Sequence, residues 1–248
     1  MFTYSLIILL SLCFIILEVG GVGVQQQPLL LSEKVKGEGK PLPFIQSLTV
    51  PKLQEFSVPL GSGPHDVAPV NDGKAVWYTA QQSGKLGQLD PTIGNIRQIS
   101  LGNGSAPHGV IVGPDGAPWI TDGGLNAIVR VDPNTEKVKL FPLPVGTGYA
   151  NLNTATFDHN GVLWFTGQSG IYGRLVPSTG KIEVFKAPRG IGPYGISTTP
   201  DGTVYFASLA GSYVGRIDLQ TGKATVLEPP TQNQVHDVYG QILMDVFG

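Results

Sequence analysis

Four side chains recur at one point of a repeating pattern and could do chemistry together: His65, His108, Asn153 and Tyr194. Imidazole, amide and phenol groups converging on one place can bind a polar ligand or supply a general base, because histidine titrates near neutrality. Each one alone also reads as a hydrogen-bonded structural residue. Two further histidines do not join this set. His159 falls in a turn beside Asn160-Gly161 and reads as solvated, and His236 lies in a stretch without the repeat. Cys13 is the single cysteine and sits in an apolar N-terminal run, so the globular part can form neither a disulfide nor a thiolate metal site. In Leu10-Ser11-Leu12-Cys13, Leu12 stands where a lipoprotein signal wants a small residue, so Cys13 reads as a bystander rather than a lipidation site.

The elements that must position the four residues follow from the repeat. Asp72-Gly73, Asp115-Gly116, Asn160-Gly161 and Asp201-Gly202 are spaced by 43, 45 and 41 residues, the period of a four-stranded propeller blade. Each turn is followed by an aromatic phrase, Trp77-Tyr78-Thr79, Trp119-Ile120-Thr121, Trp164-Phe165-Thr166 and Tyr205-Phe206-Ala207. In the second repeat the strands are read as 110–112, 118–121, 128–131 and 138–141. The first two are joined through Pro114-Asp115-Gly116 and the last two through Asp132-Pro133-Asn134-Thr135. His65, His108, Asn153 and Tyr194 come just before the first strand of successive blades. That strand is innermost, so their side chains are expected to meet at the mouth of the central channel. Trp77, Trp119, Trp164 and Tyr205 are expected to pack between blades. Arg130, Arg174 and Arg216 are expected to cap turns or pair with carboxylates.

Composition agrees with this all-β reading. Gly 34 and Pro 20 suit short strands and tight turns, and only 14% of residues are charged. A formal charge of −2 without blocks of like charge gives no reason to expect nucleic acid as a partner. Residues 1–24 contain an apolar run from Tyr4 to Leu17, short for a membrane span but normal for a signal peptide; an uncleaved anchor is the alternative. Either places the rest outside the cytoplasm: secreted, periplasmic or on the cell surface, with any membrane contact through this segment. Residues 25–50 read as a linker, and 51–248 as an incomplete β-propeller domain with repeats at about 55–101, 102–143, 144–187 and 188–230. About four to five blades of a six- or seven-bladed ring are thus expected.

The phrases Pro107-His108-Gly109-Val110, Trp164-Phe165-Thr166, Gly215-Arg216-Ile217-Asp218 and Phe141-Pro142-Leu143-Pro144 resemble those of the streptogramin B lyase (virginiamycin B lyase) family. The resemblance runs from about Phe56 to Pro230. It implies a seven-bladed propeller that opens a cyclic depsipeptide antibiotic by elimination at its ester, with a histidine base and Mg²⁺ stabilising the enolate. It also implies that the family's catalytic His and Glu belong to later blades than the four read here. Family blades often carry Glu after Trp-Phe-Thr; this sequence has Ala80, Asp122, Gly167 and Ser208 at those places, which leaves Asp122 as a weak candidate metal ligand.

The repeat stops at about residue 230, and residues 231–248 diverge. Read from one nucleotide earlier, the codons of Met244 and Asp245 force a glycine, and suitable codon choices continue the blade pattern. A frameshift that ended a longer chain is therefore expected, with a genuine divergent tail as the alternative. Three functions compete: a lyase-like enzyme or inactive descendant, a gluconolactonase-type lactone hydrolase, and a non-catalytic extracellular binding module. In each case the expected partner is a small-molecule or peptide-like ligand at the central channel. An open array would also leave a strand edge through which chains could self-associate.

Overall fold

A computed structural model describes residues 53–229 and two earlier strands, β1 (Ser5–Leu9) and β2 (Ile15–Glu18). The linker, the divergent tail with His236, and Cys13 lie outside the described residues. Two compact units divide the chain, residues 1–58 and 59–248. The first holds one antiparallel sheet in the order β2-β1-β3, where β3 is Leu53–Ser57. Among the described residues no helix is long and apolar enough to cross a membrane.

Among its described residues the second unit contains four antiparallel sheets of four consecutive strands each. The first blade is β4 (Pro64–Pro69), β5 (Val76–Ala80), β6 (Lys85–Leu89) and β7 (Ile96–Ser100), with a 3₁₀ turn at Gln81–Ser83. The second is β8 (Pro107–Val112), β9 (Pro118–Asp122), β10 (Ala127–Val131) and β11 (Val138–Pro142). The third is β12 (Leu152–Phe157), β13 (Leu163–Gly167), β14 (Ile171–Val176) and β15 (Lys181–Lys186). The fourth is β16 (Pro193–Thr198), β17 (Val204–Ser208), β18 (Tyr213–Ile217) and β19 (Ala224–Leu227). First strands neighbour one another, β4 beside β8, β8 beside β12 and β12 beside β16, so they form the inner layer of a β-propeller.

Sequence determines the blade through a few local devices. Gly116 takes φ +73°, closing a hairpin in which Gly116 N–H donates to Gly113 O and Gly113 N–H to Ala117 O. In that turn, Asp115 accepts from Trp119 Nε1 at 3.0 Å and from Arg130 Nε at 2.7 Å. One carboxylate thereby orients both the blade aromatic and the recurrent arginine. Glycine on the third strand admits an aromatic ring from the second: a Cβ on Gly173 would lie 2.4 Å from Phe165 Cζ. The same cross-strand pairing joins Tyr78 with Gly87 and Phe206 with Gly215.

The cores lie between blades. Trp77, Trp119, Trp164 and Tyr205 are 0%, 3%, 0% and 7% exposed, which places them in equivalent buried positions. Trp77 packs with Val110, Ile120 and Val129 of the second blade, Trp119 with Leu163 and Phe165 of the third, and Trp164 with Ile196 and Phe206 of the fourth. Arginines lie over these rings: Arg130 is 5.9 Å from the Trp119 ring and Arg174 is 5.5 Å from that of Trp164. Arg174 also donates to Glu183 and to Leu219 O in the next blade, a structural role.

Candidate functional site

Each first strand begins earlier than its apolar residues suggest. In the second blade it starts at Pro107 rather than Val110, because proline is tolerated at the first position of a strand. His65, His108, Asn153 and Tyr194 are consequently the second residues of β4, β8, β12 and β16, inside the strands rather than before them. In every blade the register slips by one residue at this point, between Pro64 and Val67, Pro107 and Gly109, Leu152 and Ala155, and Pro193 and Ile196. A bulge of this kind re-aims a side chain out of the pleat. The fourfold bulge is the local reason these residues share one orientation.

The four residues come together, with His108 at the centre. Its ring centroid lies 3.9 Å from that of His65 and 6.3 Å from that of Tyr194, and its Nε2 is 3.3 Å from Asn153 Nδ2. Asn153 is fully buried, and the other three are partly buried. Three polar atoms, His65 Nδ1, His108 Nδ1 and Asn153 Oδ1, are buried without a protein hydrogen-bond partner. Buried polar groups are normally satisfied, so this concentration marks a place for polar atoms from outside the chain.

Burial, joined by the neighbouring His65, pulls the His108 pKa from its ordinary 6.5 down to about 4, against a backbone hydrogen bond that favours the proton. His65 is also lowered, again mainly by burial. Both rings are therefore neutral at pH 7. A neutral imidazole with so low a pKa is a serviceable hydrogen-bond partner but a weak base.

Threonine hydroxyls hold this arrangement. Thr79 Oγ1 accepts from Asp66 N at 2.9 Å and donates to His108 O at 2.8 Å. Thr121 Oγ1 accepts from Gly109 N at 3.0 Å and donates to Asn153 O. Thr166 Oγ1 accepts from Thr154 N at 3.4 Å and donates to Tyr194 O. Each hydroxyl thus links two consecutive members of the ring across a blade boundary. These threonines escaped the reading of sequence, although their recurrence two residues after each tryptophan was a visible signal.

Asp122 is placed differently from the ring. Its carboxylate is buried and accepts from Ser105 Oγ at 2.5 Å, Ala106 N at 2.9 Å and Leu125 N at 2.9 Å, so it fastens the loop leading into β8. Asp66 is likewise tied to backbone, accepting from Val67 N and Val110 N. Among the described residues no group of three or more His, Cys, Asp or Glu could hold a metal ion. Mg²⁺ takes oxygen donors in near-octahedral array, and the described residues, with imidazole nitrogens in the ring and both nearby carboxylates committed to N–H groups, do not fit it.

The virginiamycin B lyase family model matches residues 45–242. Among solved structures, a catalytically inactive histidine-to-alanine variant of virginiamycin B lyase from Staphylococcus aureus, with quinupristin, is 30% identical at TM-score 0.67. That match covers 75% of this chain and 63% of the other. A streptogramin B lyase structure is 25% identical at TM-score 0.65, covering 75% and 62%. A nidogen/laminin complex, 16% identical over 75% of each chain at TM-score 0.56, shares the fold alone. The chain spans about 63% of the length of the S. aureus lyase structure. No curated protein matches the chain significantly.

Proposed function

Since the chain belongs to the virginiamycin B lyase family, we propose that its His65–His108–Asn153–Tyr194 ring binds a small polar or peptide-like ligand at the channel mouth and does not by itself perform the family's elimination. The observation that carries this reading is the convergence of three buried, unpartnered polar atoms on His108 and its neighbours. Such atoms favour a ligand that supplies the missing donors and acceptors. An elimination would ask more: a base poised near neutrality and a stabiliser for the developing enolate. His108, with its pKa near 4, is a poor candidate for the first, and the described residues offer no carboxylate cluster to hold a cation for the second. Among the described residues no glutamate joins Asn153 in the ring, so the lactone hydrolase reading draws no support from it.

The test uses the full chain with quinupristin, the compound present with the S. aureus relative. Calorimetry is expected to show saturable binding that weakens at least about tenfold in His108→Ala, the loss of one satisfied buried hydrogen bond. Mass spectrometry is expected to show no linear product. Turnover abolished by His108→Ala would overturn the binding-only reading, and unaltered affinity in that variant would remove the ring as the site.

A further inference from the structure

A cavity of about 340 Å³ opens between the third and fourth blades. It adjoins the ring, since Asn151 stands two residues before Asn153 and Gly192 two before Tyr194. Backbone hydrogen bonds tie its lining together within each blade and, through Gly192 N, across the blade boundary. Gln168 N donates to Asn151 O at 2.9 Å, Gly192 N to Gln168 O at 2.9 Å, and Leu209 N to Gly192 O at 2.8 Å. Only glycine fits at 192, because a Cβ there would lie 2.5 Å from Ala210 N. Asn151 takes φ +49° in the left-handed region, which asparagine adopts more readily than other residues with a side chain. The lining is therefore pre-organised, which lowers the entropic cost of binding.

The lining contains no charged residue. Tyr149 and Ile191, 66% and 64% exposed, contribute a phenol ring and a branched apolar side chain with little cover, and Leu209 also lines the cavity. Gln168 supplies a carboxamide, as does Asn151, whose Oδ1 accepts from Tyr149 OH at 3.3 Å and whose amide nitrogen remains as a donor. Ser169 donates its hydroxyl proton to Ala150 O at 2.9 Å, which leaves its oxygen as an acceptor.

We propose that this cavity is a separate binding site for an uncharged small molecule that presents an aromatic or branched apolar group next to an amide or hydroxyl. The apolar group would cover Tyr149 and Ile191 and remove their surface from water. The amide or hydroxyl would meet Asn151 and Gln168. An ionised ligand would lose hydration there with no counter-charge to replace it. The inference does not depend on the ring as a ligand site, because it uses none of the ring's side chains.

The probe is N-acetyl-phenylalaninamide, titrated into the full chain and followed by protein NMR shifts, with N-acetyl-phenylalanine and N-acetylglycinamide as the charged and apolar-free comparisons. Saturation in the low millimolar range is expected for the first, about tenfold tighter than for the other two, as suits a fragment of this size. Ile191→Asp, at an exposed position that the fold tolerates, is expected to weaken it at least about tenfold. His108→Ala is expected to leave it within about twofold. Equal binding of the carboxylate, no saturable binding by about 10 mM, or unchanged affinity in Ile191→Asp would each overturn the proposal. Loss in His108→Ala with retention in Ile191→Asp would assign the probe to the ring and overturn it too.

Discussion

Replacing Thr121 with valine removes one hydroxyl and almost no volume, which isolates the link between the second and third blades. Thr121 is 1% exposed, and its Oγ1 serves Gly109 N–H and Asn153 C=O, both buried. Valine leaves these two backbone groups without partners in a place water does not reach. Each such group costs about 1–3 kcal/mol, so the pair is worth about 3 kcal/mol after partial relaxation. For a domain of this size that is about 6–12 °C in Tm. Thr121→Ser keeps the hydroxyl and loses one methyl, about 1 kcal/mol. The assay is urea unfolding of both variants, together with the imidazole NMR signals of His108, whose neighbour Asn153 is fixed by the lost bond. Valine is expected to be the less stable by about 2 kcal/mol and to shift those signals, whereas serine is expected to leave them near the parent positions. If valine proves as stable as serine, the threonine link is not what joins the blades.

Acid should act through the histidine pair. The folded His108 pKa of about 4 lies below its ordinary 6.5, so the unfolded chain binds more protons between these values; stability is full above pH 6.5 and falls as pH drops toward 4, by at most about 3 kcal/mol. Urea midpoints measured from pH 7 to 4 should show that slope, and His108→Gln should flatten it; an unchanged slope would show that other groups set it. Gly173→Ala drives a Cβ to 2.4 Å from the Phe165 ring and should cost about 2 kcal/mol, partly recovered in the double variant with Phe165→Leu, as denaturant titration of all three variants would read. Asp122→Ala should lower Tm by several degrees because two N–H groups lose their acceptor, while millimolar Mg²⁺ should leave the Tm of the parent chain unmoved. A Mg²⁺ shift abolished by Asp122→Asn would reinstate that carboxylate as a metal ligand.

The four described blades, their strand order and the buried aromatics were legible because they rest on strong local signals. The Asp-Gly and Asn-Gly turns fix the hairpins, and Trp77, Trp119 and Trp164 recur at one distance from them. Membership of the channel ring was legible for the same reason, since repeat position alone assigns His65, His108, Asn153 and Tyr194 to equivalent points. What sequence could not supply was the bulge, which is a register property of two strands, and the depression of the His108 pKa, which needs the burial and the 3.9 Å approach of His65. The commitment of Asp122 to Ser105, Ala106 and Leu125 was hidden too, because a carboxylate in a loop looks the same whether it faces a cation or an amide. The cavity between the third and fourth blades depends on loops that the repeat does not constrain.

The threonine links place cooperative boundaries where the blades do not. Thr79 on β5 is bonded to the first strands of two blades, β4 and β8, and Thr121 and Thr166 do the same one and two blades further on. Opening the second blade therefore cannot release β8 without also breaking a bond held by β5 of the first. In hydrogen exchange, the amides of Asp66, Gly109 and Thr154 should respond to events in the neighbouring blade as well as their own, so the units that open together are staggered against the visible sheets. The fourth blade has Ala207 at the corresponding point of β17, where a methyl can neither accept from the backbone of β16 nor donate to anything beyond it. The start of β16 is accordingly held from the third blade's side, through Thr166 and Tyr194 O, and that innermost strand should be the one whose protection varies most with the state of its neighbour.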